Sequence, residues 1–256
     1  MKKVRGIYLK NDSEIQVMRE ANQIVAKILV AMAEEVAPGV PTLHFEEIAR
    51  EFCRRFDVKP AFLGYNGFPF ALCCSVNEEV VHGFPSQRRL EPGDIVSFDM
   101  GVVYRGFYGD AALTVPVGEV AEKTADLLAV TRASLWEGIG AVKVGGSLTD
   151  VSRAVQKYVE SRGYSVVKRF VGHGIGRSLH EKPEVPNFVA PGAKDVPLMP
   201  GMVLAIEPMV AAGGCDVEIL ADNWTAVTRD HSLSAHFEHT VALTQAGPVV
   251  LSDLAA

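Results

Sequence analysis

The sequence of 256 residues has only four cysteines and no long run of apolar or basic residues. It contains no C-x-x-C pair, and Cys73 and Cys74 are adjacent, which argues against a zinc knuckle or a disulfide framework. No apolar run reaches the roughly 18 residues of a membrane span. The first residues lack the apolar core of a signal peptide. These absences predict a protein of a reducing cytoplasm whose thiols are mostly buried as small apolar groups.

The charge of the chain also differs from that of a nucleic-acid-binding protein. The formal net charge is −6, and the small basic cluster at 2–5 is typical of a solvated terminus. We therefore expect neither nucleic-acid specificity nor a membrane partner. Hydrophobic residues make up 48% of the chain and charged residues 22%. This composition predicts a packed globular core, and the length is compatible with one large domain.

Periodicity along the chain predicts both helices and strands. Helical spacing of apolar residues predicts four helices, near 13–37, 42–56, 124–139 and 148–162. Ser13 is the predicted N-cap of the first helix. A loop rich in glycine and aromatic residues follows the second helix. Strands are predicted over 71–81, with a turn at 77–78, and over most of 166–251, with turns at 213–214 and 245–247.

The most informative stretch runs from Asp94 to Asp110 and is predicted to form a β-hairpin. If the turn is centred between Tyr104 and Arg105, Asp99 lies directly opposite Asp110, with the Cβ atoms roughly 4.5–5.5 Å apart. Two carboxylates so placed on a half-buried sheet repel each other unless they share a proton or a cation. The alternative is a pair of solvent-facing aspartates on an exposed hairpin, and the hairpin alone does not decide between the two.

A second segment repeats the pattern of the first strand of this hairpin. Residues 90–99 (LEPGDIVSFD) and 198–207 (LMPGMVLAIE) each contain Pro-Gly, alternating strand residues and a final acid, 108 positions apart. Each copy follows two predicted helices. The repeat predicts a duplicated α+β chain whose halves, roughly 1–120 and 121–256, face each other across a pseudo-twofold axis. Asp99 and Glu207 would meet at that axis. Chance similarity over ten residues is the alternative.

The second half of the chain supplies further candidate metal ligands. His173 lies between glycines, which let the backbone come close to a bound group. His236, Glu238 and Thr240 alternate in sequence and are expected to share one face of a strand. Buried acids are costly unless they are paired or bind a cation. Four carboxylates and one imidazole suit two divalent ions such as Mn, Fe or Co; the residues are Asp99, Asp110, His173, Glu207 and Glu238.

Five segments, in the same order, resemble the type I methionine aminopeptidase family over nearly the whole chain. They are 64–69 (GYNGFP), 76–83 (VNEEVVHG), 94–110, 172–183 (GHGIGRSLHEKP), and 207–208 (EP) taken with 237–240 (FEHT). The resemblance implies the pita-bread fold, a duplicated α+β domain with antiparallel sheet and flanking helices. It also implies a bacterial-type enzyme that removes the N-terminal methionine from nascent proteins and peptides. The hydrolysis would use a metal-bridging water, with a preference for a small second residue.

By the same resemblance, particular residues carry the chemistry. The dinuclear metal ligands would be Asp99, Asp110, His173, Glu207 and Glu238. Glu207 is our choice for the acid/base group, and His82 and His180 would contact substrate and reaction intermediate. The pocket for the methionine side chain would be lined by Tyr65, Phe68, Cys73 and Trp224. Asn77 and Ser234 match positions that bind a monovalent cation in relatives. Mn, Fe or Co are the expected metals, with Zn as a further candidate.

The chain departs from the residues frequent in the family at four positions, which are Phe62, Asn66, Leu179 and His236. The first three bear on the shape of the substrate pocket. His236 stands where glutamine is usual, close to Glu238 in the sequence, and is expected to tune metal affinity. The resemblance further implies a cytoplasmic monomer that meets nascent chains at the ribosome.

Two alternative functions share the implied fold. A pita-bread peptidase that cleaves before proline usually carries a large additional N-terminal domain, for which this chain has no room, and lacks the 64–69 segment. A non-catalytic binding protein of the same fold loses metal ligands, whereas this chain keeps all five. Both alternatives are therefore less favoured than an aminopeptidase.

Overall fold

The computed structural model describes residues 2–192 and 195–253. Within these ranges the chain forms four α-helices and one 3-10 turn: α1 (Asp12–Glu34), α2 (Leu43–Arg55), α3 (Glu122–Gly140), α4 (Leu148–Glu160) and the 3-10 turn Tyr65–Gly67. The four predicted helices are confirmed, with their ends shifted by at most three residues. In the described ranges no helix combines the length and apolar character needed to cross a membrane.

Seventeen β-strands lie in the same ranges. They are β1 (Lys2–Val4), β2 (Ile7–Leu9), β3 (Lys59–Pro60), β4 (Leu72–Val76), β5 (Glu79–Val81), β6 (Ile95–Tyr104), β7 (Phe107–Pro116), β8 (Ser165–Val166), β9 (Gly172–Gly174), β10 (Glu181–Val185), β11 (Val203–Ile206), β12 (Met209–Ala211), β13 (Val217–Ile219), β14 (Ala226–Thr228), β15 (Ser234–His236), β16 (Glu238–Thr244) and β17 (Gly247–Val250). The predicted strands within 71–81 and the turns near 77–78 and 245–247 are confirmed. The prediction of strand over most of 166–251 is wrong, because the strands there are short and connections such as 220–225 and 229–233 separate them, so that strands cover less than half of the range.

The main sheet is arranged symmetrically about the boundary between β7 and β16. Its order is β10-β9-β11-β16-β7-β6-β3, and β4 also pairs with β6. Strands β9, β11 and β16 on one side thus correspond to β4, β6 and β7 on the other. The two copies of the sequence repeat fall on β6 and β11, which are equivalent strands. An isolated bridge joins Pro41 to Arg89 in one half, and its counterpart joins Ser147 to Pro197 in the other. The predicted duplicated α+β fold is therefore confirmed.

Alternation along the strands sends apolar residues to the helices and acids to the other face of the sheet. Val96, Phe98 and Met100 of β6 belong to one buried core with residues of α1 and α2. Because strand side chains alternate, Asp99 points away from that core. In the second half, Leu204 and Ile206 of β11 belong to a core that includes residues of α3 and α4. Glu207 follows Ile206 and is directed to the face that Asp99 occupies.

The start of α1 differs from the prediction. Asn11 is the N-cap: its Oδ1 accepts the N–H of Glu14 at 2.9 Å, and the Glu14 carboxylate accepts the N–H of Asn11 at 3.1 Å. Ser13 lies inside the first turn and donates its hydroxyl to Asn11 Oδ1 at 2.7 Å. The prediction of Ser13 as N-cap is wrong because the Asn–Glu capping box satisfies the first helical N–H groups two residues earlier.

The register of the hairpin also differs from the prediction. Asp110 lies opposite Gly101, and Asp99 lies opposite Ala112. The turn consists of residues 105–106, with φ of 48° and 77°, which are the positive values that a two-residue type I′ turn needs. The prediction that Asp99 opposes Asp110 is therefore wrong by two residues. Since side chains alternate with period two, the two carboxylates still share one face, as diagonal neighbours.

The segment 234–240 is divided between two sheets. β15 ends at His236 and pairs with β12, whereas β16 begins at Glu238 and pairs with β11 and β7. Phe237 lies between the two strands, with its N–H 3.4 Å from the carbonyl oxygen of Pro208. The prediction that His236, Glu238 and Thr240 share one face of a single strand is wrong because the chain changes sheets at Phe237.

Candidate active site

A cavity of about 210 Å³ contains nearly all the residues singled out in the sequence. Its lining consists of Phe62, Tyr65, Asn66, Phe68, Cys73, His82, Asp99, Asp110, His173, Leu179, His180, Glu207, Trp224 and Glu238. The five predicted ligands, the two predicted catalytic histidines and the four predicted pocket residues are all among them, as are three of the four departures from the family pattern. A larger groove of about 720 Å³ shares only His173 and His180 with this cavity.

Carboxylates and an imidazole converge at one end of the cavity. Ligand atoms of Asp110, His173 and Glu238 all lie within 4.8 Å of one another. His173 Nε2 is 3.9 Å from Asp110 Oδ2 and 3.6 Å from Glu207 Oε1. Asp99 is close enough to Glu207 that the charge of Glu207 contributes to its raised pKa. The two equivalent strands of the sequence repeat thus bring their terminal acids to the same cavity.

Three oxygens of this cluster are buried without any hydrogen-bond partner: Asp99 Oδ1, Asp110 Oδ1 and Glu238 Oε1. Buried polar side-chain atoms are normally hydrogen-bonded. Carboxylate oxygens and imidazole nitrogens are suitable ligands for Mn, Fe and Co. A divalent cation would satisfy these oxygens, so the donor set fits a metal centre.

Burial changes the acidity of every group in the cluster. It raises the pKa of Asp99 to about 7 and that of Glu207 to about 8. Burial, followed by the charges of the neighbouring carboxylates, raises the pKa of Asp110 and Glu238 well above the usual range. Burial also lowers the pKa of His173 to about 3, which leaves its imidazole neutral at pH 7. A bound cation would favour the ionised form of each carboxyl.

His173 is oriented by its own strand. Its Nδ1 lies 3.0 Å from the carbonyl oxygen of Gly174, so Nδ1–H donates there and Nε2 faces the carboxylates. A Cβ at Gly172 would collide with the carbonyl oxygen of Ala205, and one at Gly174 with that of Lys182. The two glycines therefore allow β11 and β10 to pack closely on either side of His173.

Three polar side chains fix the backbone of the candidate ligands. Asn22 Oδ1 accepts the N–H of Asp110 at 3.1 Å, and Thr240 Oγ1 donates to the Asp110 carbonyl oxygen at 2.7 Å. Asn187 Nδ2 donates to the carbonyl oxygen of Glu207 at 3.0 Å. Sequence reasoning missed both asparagines. Asn22 could have been found as a polar residue within the apolar stripe of α1, whereas nothing in the sequence marks Asn187.

The two predicted catalytic histidines enter the cavity from loops. The Tyr65 hydroxyl lies 2.7 Å from His180 Nδ1, and the His180 ring centroid is 4.2 Å from that of His173. His82 directly follows β5 and has a φ of 62°. Its ring makes an edge contact with Trp224 at 6.2 Å between centroids. Burial lowers the pKa of His82 to about 4 and also lowers the pKa of His180, so both imidazoles are neutral at pH 7.

Apolar side chains close the other end of the cavity. Phe68 and Trp224 meet edge to face with 5.1 Å between ring centroids. Cys73 lies opposite Asp99 in the β4–β6 register, so the two side chains share a face of the sheet. Burial raises the pKa of the Cys73 thiol well above its usual range, which keeps it protonated. The cavity therefore offers an apolar, polarizable wall directly beside the carboxylates.

Two predicted positions lie outside the cavity lining. Asn77 and Ser234 are neighbours, because the Ser234 N–H donates to the Asn77 carbonyl oxygen at 2.9 Å. The Asn77 side chain is already engaged: Oδ1 accepts the N–H of Ile95 at 3.0 Å, and Nδ2 donates to Asp94 at 2.8 Å.

His236 faces a different acid from the one expected. Its Nε2 lies 3.6 Å from Glu207 Oε2, and the charge of Asp99 also acts on its ring. The acids that His236 meets therefore include Glu207 and Asp99, which are distant in the sequence. The change of sheets at Phe237 causes this, because His236 extends from β15 while Glu238 extends from β16.

Known proteins resemble this chain in sequence and in fold. A family model described as "Metallopeptidase family M24" matches residues 16–245. The methionine aminopeptidase of Clostridium acetobutylicum is 47% identical over 247 residues, covering 96% of this chain and 98% of the relative. The crystal structure of methionine aminopeptidase from Thermotoga maritima is 47% identical, with a TM-score of 0.94, covering 96% of this chain and 99% of the other. An Xaa-Pro dipeptidase from Bacillus anthracis, 22% identical with a TM-score of 0.78, shares the fold; the match covers 96% of this chain and 62% of that one.

Proposed function

The chain belongs to metallopeptidase family M24, as a methionine aminopeptidase with the pita-bread fold, and from this premise we propose which of its residues perform the reaction. The enzyme is a metal-dependent hydrolase that removes N-terminal methionine from a peptide substrate. The observation that carries the assignment of its active site is the cluster of buried, unpartnered carboxylate oxygens beside His173.

We propose that two divalent ions, drawn from Mn, Fe, Co and Zn, are held by five residues of the cavity. These are Asp99, Asp110, His173, Glu207 and Glu238. When bound, such ions would supply Lewis-acid chemistry that activates a water molecule and polarises the scissile carbonyl. The raised pKa values of the carboxyls support this role, because the cluster is unfavourable in its ionised form without a positive charge.

Glu207 is the proposed acid/base group. It would take the proton of the attacking water and help to deliver it to the leaving amine. Burial raises the pKa of Glu207 to about 8 in the protein without metal. A bound cation would lower this pKa, so the carboxylate form that accepts a proton from water would be available near neutral pH. The Asn187 amide donates to the Glu207 main-chain carbonyl oxygen at 3.0 Å and so fixes the backbone from which the carboxylate extends.

His82 and His180 are the proposed donors to the leaving nitrogen and the developing oxyanion. A neutral imidazole donates from only one nitrogen. The Tyr65 hydroxyl lies 2.7 Å from Nδ1 of His180. We propose that the hydroxyl donates to Nδ1, which places the ring proton on Nε2 and leaves Nε2–H available to the substrate. Donors placed in this way stabilise negative charge as it develops in the transition state.

The methionine side chain is proposed to bind among Tyr65, Phe68, Cys73 and Trp224. An apolar wall with a polarizable sulfur suits an unbranched thioether. The cavity, with a volume of about 210 Å³, has room for a side chain of this size. Phe62, Asn66 and Leu179 complete the same lining and would adjust its shape. The preference for a small second residue is proposed from the family resemblance alone.

The setting of the enzyme is also proposed. Halves of roughly 1–120 and 121–256 would form one catalytic domain, a view supported by the pairing of β7 with β16 in a shared sheet. The enzyme would act as a monomer in the cytoplasm, on nascent chains at the ribosome. A monovalent cation would bind near Asn77 and Ser234.

The deciding experiment measures methionine release from Met-Ala-Ser and cleavage of Ala-Pro peptides, with Mn, Co and Fe added in turn to metal-free protein. We expect methionine release that depends on the added metal and stops with a chelator. Cleavage of the Ala-Pro peptide without methionine release would instead favour a peptidase acting before proline. Metal uptake without cleavage of either peptide would favour a binding protein of the same fold.

A further inference from the structure

His236 lies behind Glu207 as a buried imidazole with one unpartnered nitrogen. The residue is 1% exposed, and its Nε2 is buried without a hydrogen-bond partner. Most buried polar atoms in proteins have a partner, so each exception calls for an explanation. Two acids of the cluster, Glu207 and Asp99, interact with this imidazole, so the nitrogen is directed towards the candidate metal centre.

Hydrogen bonds fix the main chain of His236, so the side chain extends from a defined position. Thr114 Oγ1 accepts the His236 N–H at 2.9 Å and donates to the His236 carbonyl oxygen at 2.8 Å. The Thr114 hydroxyl is itself 2.8 Å from the hydroxyl of Ser97. On the other side, His236 pairs with Met209 in the β12–β15 register. The imidazole is therefore presented to Glu207 from a rigid strand end.

The Glu207 carboxylate lies between two imidazoles, with one oxygen directed to each. Oε1 is 3.6 Å from His173 Nε2, and Oε2 is 3.6 Å from His236 Nε2. A separation of 3.6 Å is longer than a hydrogen bond. Catalytic hydrogen bonds are, however, often long in ligand-free structures and shorten when substrate binds. With its main chain held by Asn187, a small rotation of the Glu207 side chain would bring Oε2 within hydrogen-bonding distance of His236.

We propose that His236 is a positioning residue for Glu207: in the substrate complex its Nε2–H donates a hydrogen bond to Oε2 and fixes the rotation of the carboxylate. Oε1 then stays beside His173, and the carboxylate keeps one orientation while it exchanges a proton with water. A hydrogen bond to a carboxylate is stronger than one between neutral groups. This inference rests on the proposed acid/base role of Glu207.

The test compares three replacements that separate the donor from the volume. Glutamine carries an N–H donor at a reach similar to that of Nε2, asparagine carries the same donor one methylene shorter, and leucine fills space without a donor. We expect His236→Leu and His236→Asn to lower kcat about 10- to 100-fold with KM changed by less than about twofold, as loss of one charged hydrogen bond predicts. His236→Gln should recover most of that loss.

A second measurement is independent of turnover. Metal content by elemental analysis should equal that of the wild type in all three variants. The visible absorption spectrum of the Co²⁺-loaded protein should change in His236→Leu, because the Glu207 carboxylate can rotate, and return towards the wild-type spectrum in His236→Gln. The matched control is His239→Leu, since the His239 ring packs against Trp136 with 5.3 Å between centroids, away from the cavity. It should leave kcat and the spectrum unchanged.

Three results would overturn the inference. Loss of metal in His236→Leu would show that His236 is a metal ligand. An unchanged kcat in the same variant would show that His236 only fills space. Equal decreases of kcat in His236→Gln and His236→Asn would show that the position of the N–H donor has no effect. Comparison of these two variants also decides the question if His236→Leu does not fold. In each case methionine release by the wild-type enzyme would still stand, so failure of this inference is distinguishable from failure of the proposed function.

Discussion

Asp99 offers the most direct test of the metal centre at the scale of single residues. Asp99→Asn keeps the shape of the side chain but removes the charge that would attract a cation. We expect retained folding, weaker metal binding and a loss of activity of more than about 100-fold, since even indirect changes around a metal ligand cost 10- to 100-fold. Metal content and kcat/KM, measured on one preparation, test this expectation. Asp216→Asn, the same change at an exposed aspartate, is the control; near-normal metal content and turnover in Asp99→Asn would disprove the ligand assignment.

Cys73 tests the methionine pocket. Its side chain lies in the cavity lining next to Asp99, and the whole cavity measures about 210 Å³. In Cys73→Phe the added ring would occupy the space proposed for the thioether, so KM for methionyl peptides should rise about tenfold or more, equivalent to about 1.4 kcal/mol of lost binding. Steady-state kinetics measure this, with Cys215→Phe as the matched substitution outside the cavity. Unchanged KM would mean that Cys73 does not line the methionine site.

His82 and His180 separate chemistry from metal binding. We expect His82→Ala and His180→Ala to fold and bind metal normally but to turn over about 10²–10³-fold more slowly, the typical cost of removing one donor to an oxyanion, or roughly 2.7–4 kcal/mol. An interaction made only in the transition state should lower kcat and kcat/KM alike. Elemental analysis beside kinetics decides the matter. If a variant lost its metal, the replaced histidine would have to be a metal ligand. If a variant kept full activity, the replaced histidine would have no part in the reaction.

The hairpin of β6 and β7 is the element that sets the positions of two candidate ligands. Its turn requires positive φ, and Gly106 has a φ of 77°. Gly106→Ala should destabilise the folded protein by about 1 kcal/mol, because a Cβ in this conformation is strained. The expected decrease in Tm is about 2–4 °C, while kcat of the folded enzyme should stay the same, since the turn lies outside the cavity.

Gly140→Ala is the matched control for this turn. Gly140 lies at the end of α3, has no heavy atom within 4 Å of an added Cβ and does not have a positive φ. Alanine there should raise stability by about 0.4–1 kcal/mol. Thermal denaturation measures both variants. Equal Tm changes in the two would contradict the type I′ turn that determines the register of Asp99 and Asp110.

Stability of the whole molecule without metal should depend on pH in an unusual direction. In the folded apoprotein Glu207 has a pKa of about 8, and burial raises the pKa of Asp110 and Glu238 well above the usual range. An unfolded carboxyl ionises near pH 4. Between these values the folded state therefore binds more protons than the unfolded state, and stability falls as pH rises.

The window in which this effect dominates lies above pH 7. Buried neutral histidines such as His82, with a pKa of about 4, act in the opposite direction, but only up to about pH 7, where unfolded histidines also become neutral. From pH 7 to 9 we expect the Tm of the apoprotein to fall, because the free energy of unfolding decreases by about 1.4 kcal/mol per pH unit for each proton that is released on unfolding. Saturating Mn²⁺ or Co²⁺ should flatten the curve, because bound carboxylates are already ionised. Apo Glu238→Gln should also be flatter; a Tm of wild-type apoprotein that rises through this window would refute the interpretation.

Much of this protein could be predicted from local patterns. The four helices and the strands within 71–81 follow from periodicity and turn residues, which depend on near neighbours in the chain. The internal repeat at 90–99 and 198–207 predicted the duplicated fold. The residue types predicted a site for two divalent ions, and the resemblance to the methionine aminopeptidase family predicted a metallopeptidase. Every residue predicted for the metal centre, for catalysis or for the methionine pocket lies in the lining of one cavity.

Only the tertiary structure decided how these residues face one another. The true register of Asp99 and Asp110 depends on which two residues of the turn adopt positive φ. The hydrophobic pattern does not decide it, because a shift of the strand register by two residues leaves every side chain on the same face of the sheet. The sequence predicted one strand over 234–240, whereas the chain changes sheets at Phe237 and so directs His236 towards Glu207. Asn187 could not be identified beforehand, because its contact with Glu207 joins residues that become neighbours only after folding. Sequence periodicity determines which face of an element is buried, but long-range packing determines what that face meets.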